Sequence, residues 1–295
     1  AAAASGQNVI GLFVLDPVLW HRSGPVRREW LRQSLHALNE QLDGNLWLAA
    51  GNPVTVVPEL AAQTNSSQVF VSKDFGTYGK QRDERVREAL ALSGRELIEA
   101  GSPYATDPGT LATGSGTRYR VYTPFYRSWL SHGYPAAAPT VVPEWVTPPP
   151  SARIDAIAEL STRQSEVELP DVGEVAAWRR WEWFKDNGLA QYSTNRNRPD
   201  LDGTSNLSAH LRWGEIHPRS LLAELPPYLS TPDCEVGAET FRKEIAWREF
   251  YAEVWDANPT STWDSLDPRF DRALETDSGS TAEANFAAWQ SGLTG

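Results

Sequence analysis

At 295 residues, 40% hydrophobic and 22% charged, the chain has material for one large or two ordinary domains with packed cores. It shows no apolar run near the roughly 20 residues that cross a bilayer and no secretory start, and Cys234 is its one cysteine. The expectation is a reducing cytoplasm and no membrane partner. The net charge of −11 excludes a protein that coats nucleic acid through bulk charge. A local basic rim fits residues 174–250, with 10 Lys and Arg against 12 Asp and Glu, better than 251–295, with 2 against 8.

In chain order, VIGLFVLD (9–16) reads as a buried strand ending at Asp16-Pro17. VRREWLRQSLHALNEQL (26–42) places Val26, Trp30, Leu35, Leu38 and Leu42 near helical spacing. LWLAAG (46–51) and VFVS (69–72) read as buried strands, with PELAAQ (58–63) a short helix between them and 80–92 a charged helix after them. This alternation predicts one parallel sheet with covering helices. Residues 136–173 are proline-rich and read as a surface-wrapped linker. Helical patterns follow at 173–188, 205–214, 217–228 and 239–255. An α/β domain followed by an all-α one is the reading.

Two places could carry chemistry. Asp202-Gly203-Thr204-Ser205 precedes a helical run, so a hydroxyl or carboxylate is expected to cap it, with Ser208 one turn on. Such a start suits a diphosphate, though the local pattern by itself favours an ordinary N-cap. Glu244 and Trp247 share a helical face that continues through Phe250, Tyr251 and Val254, an inward stripe suited to a flat ring with hydrogen-bond donors. The plainer account pairs Glu244 with Arg248 and makes Trp247 core. His21, His36, His132, His210 and His217 show no ligand spacing, and no metal is expected. Gly114-Ser115-Gly116 lacks the setting of a nucleophile elbow.

Several segments, in order, resemble the DNA photolyase/cryptochrome family. They are VSKDFGTYGKQRDERV (71–86) with Arg82-Asp83, GTRYRVYTPFYRSW (116–129), Tyr192 with RPDLDGTSNLSAHLRWGEIHPR (198–219), EIAWREFY (244–251) and FAAWQSGLTG (286–295). The likeness is greatest to class I cyclobutane pyrimidine dimer photolyases truncated at both ends. It implies a Rossmann-like antenna domain over 1–135 with its first strand missing, the linker over 136–173, and a partial helical FAD-binding domain over 174–295.

The resemblance places Tyr192, Thr204, Ser205, Asn206, Leu207 and Ser208 at FAD-holding positions, chiefly around the diphosphate. Asn206 stands where many members carry Arg or Lys. Phe241, Glu244 and Arg248 fall on flavin-side positions of the next helix. Glu244 and Trp247 match the carboxylate that hydrogen-bonds the dimer and the indole on which it stacks, the catalytic pair. Arg248 and Tyr251 join them as DNA-facing residues. Members that repair (6-4) lesions usually carry Gln at the Glu244 position, and plant cryptochromes usually lack the Trp.

The implied activity is light-driven: reduced FAD passes an electron to a flipped-out dimer in damaged DNA, the ring opens and the electron returns. An antenna pigment, methenyltetrahydrofolate or deazaflavin, is expected in the first domain. A monomer without an obligate protein partner is expected too. This stretch by itself is expected neither to bind FAD tightly nor to repair DNA. The outermost tryptophan of the family's electron chain is expected near 274–279, where LETDSG has none, leaving Trp263 or Trp289 as substitutes. A cryptochrome-type photoreceptor is the alternative, and a flavin- or nucleotide-binding helical module without light chemistry the third reading.

Overall fold

The computed structural model describes residues 1–5, 8–273 and 279–293. Strand β1 (Gly11–Leu15) runs into Asp16, which caps helix α1 (Pro17–Arg22) by accepting from the Val18 amide at 2.9 Å. Pro17 fits the first helical position, where no amide partner is lost. Helix α2 (Pro25–Gln41) leads to β2 (Leu46–Ala50), which pairs parallel with β1 from Gly11↔Leu46 to Leu15↔Ala50. Helix α3 (Pro53–Gln63), capped by Asn52, begins five residues earlier than the 58–63 pattern suggests. β3 (Gln68–Val71), α4 (Thr77–Ala91) and β4 (Glu96–Glu99) follow, with β3 and β4 parallel.

The four strands form two separate two-stranded sheets, where the sequence predicts one. Between β1 and β3 lies a cavity of about 920 Å3, lined by Leu12, Val14, Val69 and Val71 and closed by Leu60 of α3 and Val86 of α4. Each sheet has its own small core. Leu15, Leu35, Leu46 and Leu48 build the first, and Ala61, Val86, Leu90 and Leu97 the second.

Helix α5 (Tyr122–His132) buries Phe125, Tyr126 and Trp129 in the largest core, which otherwise belongs to the later helices. The proline-rich stretch is tied down. Trp47 donates its indole N–H to the Val146 carbonyl at 2.7 Å, and Ile157 and Leu160, the latter in the four-residue α6 (Ala158–Ser161), fill the first core. Glu29, 1% exposed, accepts from the Gln164 amide at 2.7 Å. The guanidinium of Arg32 beside it holds its carboxyl down at about 2.

Then come α7 (Glu174–Asn187), α8 (Tyr192–Asn195), α9 (Ser208–Trp213), α10 (Pro218–Glu224) and α11 (Pro226–Leu229). α12 (Glu235–Ala257), α13 (Arg269–Ala273) and α14 (Ser280–Gln290) complete the set. The single helix expected over 217–228 breaks between α10 and α11, where Pro226 and Pro227 can donate no backbone bonds. Glu215 joins the two halves: it accepts from the Trp30 indole at 3.0 Å, from Ser34, and lies 2.5 Å from His210 Nδ1. Among the described residues no helix is long and apolar enough to cross a membrane.

Candidate functional site: one face of a long helix

Helix α12 has 23 residues, about 35 Å at 1.5 Å per residue. Its N-terminal half leans on α8 because Gly237 lets the backbone meet the Leu189 carbonyl; a Cβ there would sit 1.8 Å from that oxygen. This contact sets Phe241 beside Tyr192, ring centroids 5.9 Å apart at 71°. Phe241 also stacks on Trp181 at 5.1 Å, and both Tyr192 and Phe241 are buried. Burial pushes the Tyr192 phenol up.

One turn further on, the Glu244 carboxylate is bound by Arg196, the residue that caps the C-terminus of α8, whose guanidinium also lies 5.8 Å from the Tyr192 ring centroid. The i,i+4 pair with Arg248 does not form. Arg248 points elsewhere, donating to the Pro103 carbonyl at 2.9 Å and the Leu211 carbonyl at 3.3 Å and lying 4.7 Å from the Tyr104 ring centroid. It therefore clamps the 102–106 segment and α9 to α12. Desolvation pushes its guanidinium below its ordinary value.

Trp247 is half-buried. Tyr122 of α5 stacks on it at 3.7 Å and 6°, and Tyr251 at 5.6 Å and 28°. The stripe is not inward throughout: Tyr251 is 63% exposed. An amphipathic helix at the edge of a core leaves the flank of its apolar face in solvent.

The 202–208 turn differs from the expected cap. Asn206 takes a left-handed φ of +53°, the N-cap of α9 is Leu207, and no side chain caps it. Leu207 is core, 1% exposed. Thr204 donates its hydroxyl to Asn206 Oδ1 at 2.9 Å, and the Ser205 hydroxyl accepts from the Leu207 amide at 3.4 Å. Ser208 is exposed. Arg180 braces the turn, donating to the carbonyls of Thr204 (2.7 Å) and Ser205 (3.1 Å) and pairing with Asp202. Hydrogen bonding by Arg180 holds the Asp202 carboxyl below its usual value. The acid nearest the hydroxyls is thus neutralised in place.

A second cavity, of about 720 Å3, lies between α1, α2 and residues 212–215, walled by Leu19, Trp20 and Leu31 and rimmed by Arg22, Arg27 and Arg212. Neither cavity is lined by residues 204–208, Glu244 or Trp247.

Residues 1–144 match the sequence profile of the family described as DNA photolyase. The whole chain aligns with a deoxyribodipyrimidine photo-lyase of a Synechococcus strain at 30% identity, covering 64% of that protein. It aligns with one of Streptomyces griseus at 31%, also covering 64%. The crystal structure of a bacterial class III photolyase from Agrobacterium tumefaciens superposes with a TM-score of 0.81 at 28% identity, over 98% of this chain and 61% of that one. Residues 1–144 thus carry the DNA photolyase family's profile, and the chain as a whole is similar to proteins of that name. It spans just under two thirds of the length of these relatives.

Within the photolyase family frame, the structure brings Tyr192, Phe241 and Glu244 together through α8 and α12 and keeps Thr204 and Ser205 on the turn braced by Arg180. It sets Arg248 among backbone carbonyls on a different side. Sequence reasoning missed Arg196, 48 residues from its partner, and Tyr122, 125 residues from its own. Tyr122 had a signal, since it lies within the quoted 116–129 segment. The expectation about an absent tryptophan at 274–279 falls almost wholly outside the described residues. Trp263 and Trp289 are 81% and 64% exposed.

Proposed function

We propose that the protein acts in light-driven repair of cyclobutane pyrimidine dimers in DNA, with reduced FAD as electron donor. The observation that carries this reading is the placement of the Glu244 carboxylate and the Trp247 indole one turn apart on a half-exposed stretch of α12, beside Tyr192 and Arg196. The Glu–Trp pair favours cyclobutane dimers over (6-4) lesions.

The donor set fits a flavin dinucleotide. Thr204, Ser205 and Ser208 offer hydroxyls within five residues, and the adjacent Asp202 is already paired with Arg180, so a diphosphate meets no free carboxylate from it. Tyr192 and Phe241 are packed into the core behind α8 and α12, so they brace this region and expose no ring face of their own. When bound, FAD supplies the photoexcited electron.

The chain's residues do the rest. Trp247 offers its outer face to the extruded bases once exposed Tyr251 swings aside, worth on the order of 1–3 kcal/mol per base. Glu244 exchanges Arg196 for the lesion and accepts its hydrogen bonds, stabilising charge that develops on the dimer. Arg196, released, is placed to meet a backbone phosphate. The cavity rimmed by Arg22, Arg27 and Arg212 suits a flat anionic antenna pigment, folate or deazaflavin. We place the protein in the cytoplasm as a monomer, with the chain divided near residues 135 and 173.

Illuminated repair of a thymine-dimer oligonucleotide tests the reading. Trp247→Ala should lose lesion affinity at least about fivefold, the lower end of that stacking energy for one base. Glu244→Ala should lose turnover more than affinity. Lesion binding without repair under light would point to a photoreceptor, and unchanged affinity in Trp247→Ala would remove its assigned role.

A further inference from the structure

Tyr122 opens α5 and reaches across to α12, where its ring lies flat on the Trp247 indole, 3.7 Å between centroids and 6° between planes. Carbon atoms in van der Waals contact stand about 3.5–4.0 Å apart, so no base can enter between the two rings. The phenol is pinned as well, donating to the Lys243 backbone carbonyl at 2.8 Å. That carbonyl stands four residues before Trp247 on the same helix, the position of its own ladder acceptor. Tyr122 thus grips both the Trp247 ring and the turn of α12 that carries Glu244.

The grip is rigid at its base. Buried Phe125, Tyr126 and Trp129 hold α5 in the core. Phe250, also buried, meets the two rings edge-on, at 5.9 Å and 77° from Tyr122 and at 5.7 Å and 79° from Trp247. Burial pushes the Tyr122 phenol up, so it stays a neutral donor. Core filling alone does not ask for this arrangement, because Tyr122 is only half-buried and commits both its ring plane and its hydroxyl to one turn of α12. A half-exposed indole without such a neighbour samples several rotamers, and a ligand stacking on it must order it first.

We infer that Tyr122 is a positioning residue for the flat partner of Trp247: it presets the plane of the indole and confines stacking to the face turned away from Tyr122. It acts through Trp247 and touches no ligand itself. Ordering one large side chain in advance is worth about two- to tenfold in affinity. That the partner is an extruded pyrimidine dimer rests on the reading above; the presetting of the ring does not.

The test uses the full chain labelled with 5-fluorotryptophan, the Trp247 fluorine resonance being the one lost in Trp247→Phe. Without DNA, Tyr122→Leu should move and broaden that resonance, and Tyr122→Phe, which keeps the ring, should leave it sharp. Affinity for a thymine-dimer oligonucleotide should fall about two- to tenfold in Tyr122→Leu and return in Tyr122→Phe. In a Trp247→Ala background, Tyr122→Leu should cost nothing further, since its effect runs through the indole. An unmoved resonance in Tyr122→Leu, parental affinity in that variant, or a loss that persists in the Trp247→Ala background each overturns the assignment. Failure of the lesion to bind the parent would sink the repair reading instead, and the resonance measured without DNA would still decide whether Tyr122 fixes the ring.

Discussion

Glu244 of α12 and Arg196, just past the end of α8, are joined side chain to side chain, so the acid assigned to the lesion already has a partner. Their side chains are 30% and 34% exposed. A pair so open to solvent contributes about 0–1 kcal/mol. Arg196→Ala should therefore lower unfolding free energy by less than about 1 kcal/mol in urea titration. A larger loss would make the pair structural and unfit to open for a ligand.

Gly237→Ala should be far more damaging. The added methyl would press on the Leu189 backbone carbonyl, which cannot rotate away, and α12 would have to move off α8. Overpacking of this kind costs on the order of 1–3 kcal/mol or more. A fall in melting temperature together with weakened lesion binding is the expected result, because Phe241 and Glu244 ride on the same helix. A parental melting temperature would show that the close approach does not matter.

Glu253 holds the opposite flank. It is 2% exposed, accepts from the Gly109 amide at 2.7 Å and pairs with Arg118. Glu253→Ala leaves the Gly109 amide unpaired while Arg118 keeps Asp256, and the expected loss is about 1–3 kcal/mol in urea titration. Protease cleavage within 102–118 should rise with it. Resistance equal to the parent would mean that the loop is held by other contacts.

Glu249 gives a pH signature. Burial pushes its carboxyl up to about 7 against the pull of the Thr106 amide at 3.0 Å, whereas the unfolded chain titrates near 4.5. Between those values the folded state binds more protons than the unfolded one, so this group's contribution to stability falls as pH rises from about 4.5 to 7. The lowered His217, pushed down by its own burial, acts in the opposite sense around its unfolded value. The test is thus the difference between the parent and Glu249→Gln across this window: the variant should gain relative to the parent as pH rises. Parallel curves would exclude an elevated carboxyl.

Much of the architecture is written locally. The strands at 11–15, 46–50 and 68–71 are legible because short apolar runs end at Asp, Gly or Ser signals. β4 escapes because glutamates flank its two apolar residues, and α5 because Tyr-Thr-Pro-Phe reads as extended chain. At the site, the shared face of Glu244 and Trp247 follows from a three-residue interval. Arg196 and Tyr122 do not, since tertiary packing brings them from other helices. The left-handed Asn206 replaces the expected cap because the chain must turn before α9 can start.

Each half of the α/β region packs its own handful of buried aliphatic residues, and two polar bonds tie residues 53–99 to the remainder: Tyr78 donates its phenol to Asp16 at 2.6 Å, and Lys80 pairs with Asp256 of α12 at 2.6 Å. Removing both ties, with Tyr78→Phe and Lys80→Ala, should let the amides of α4 exchange with deuterium sooner than in the parent while those of α12 keep their protection.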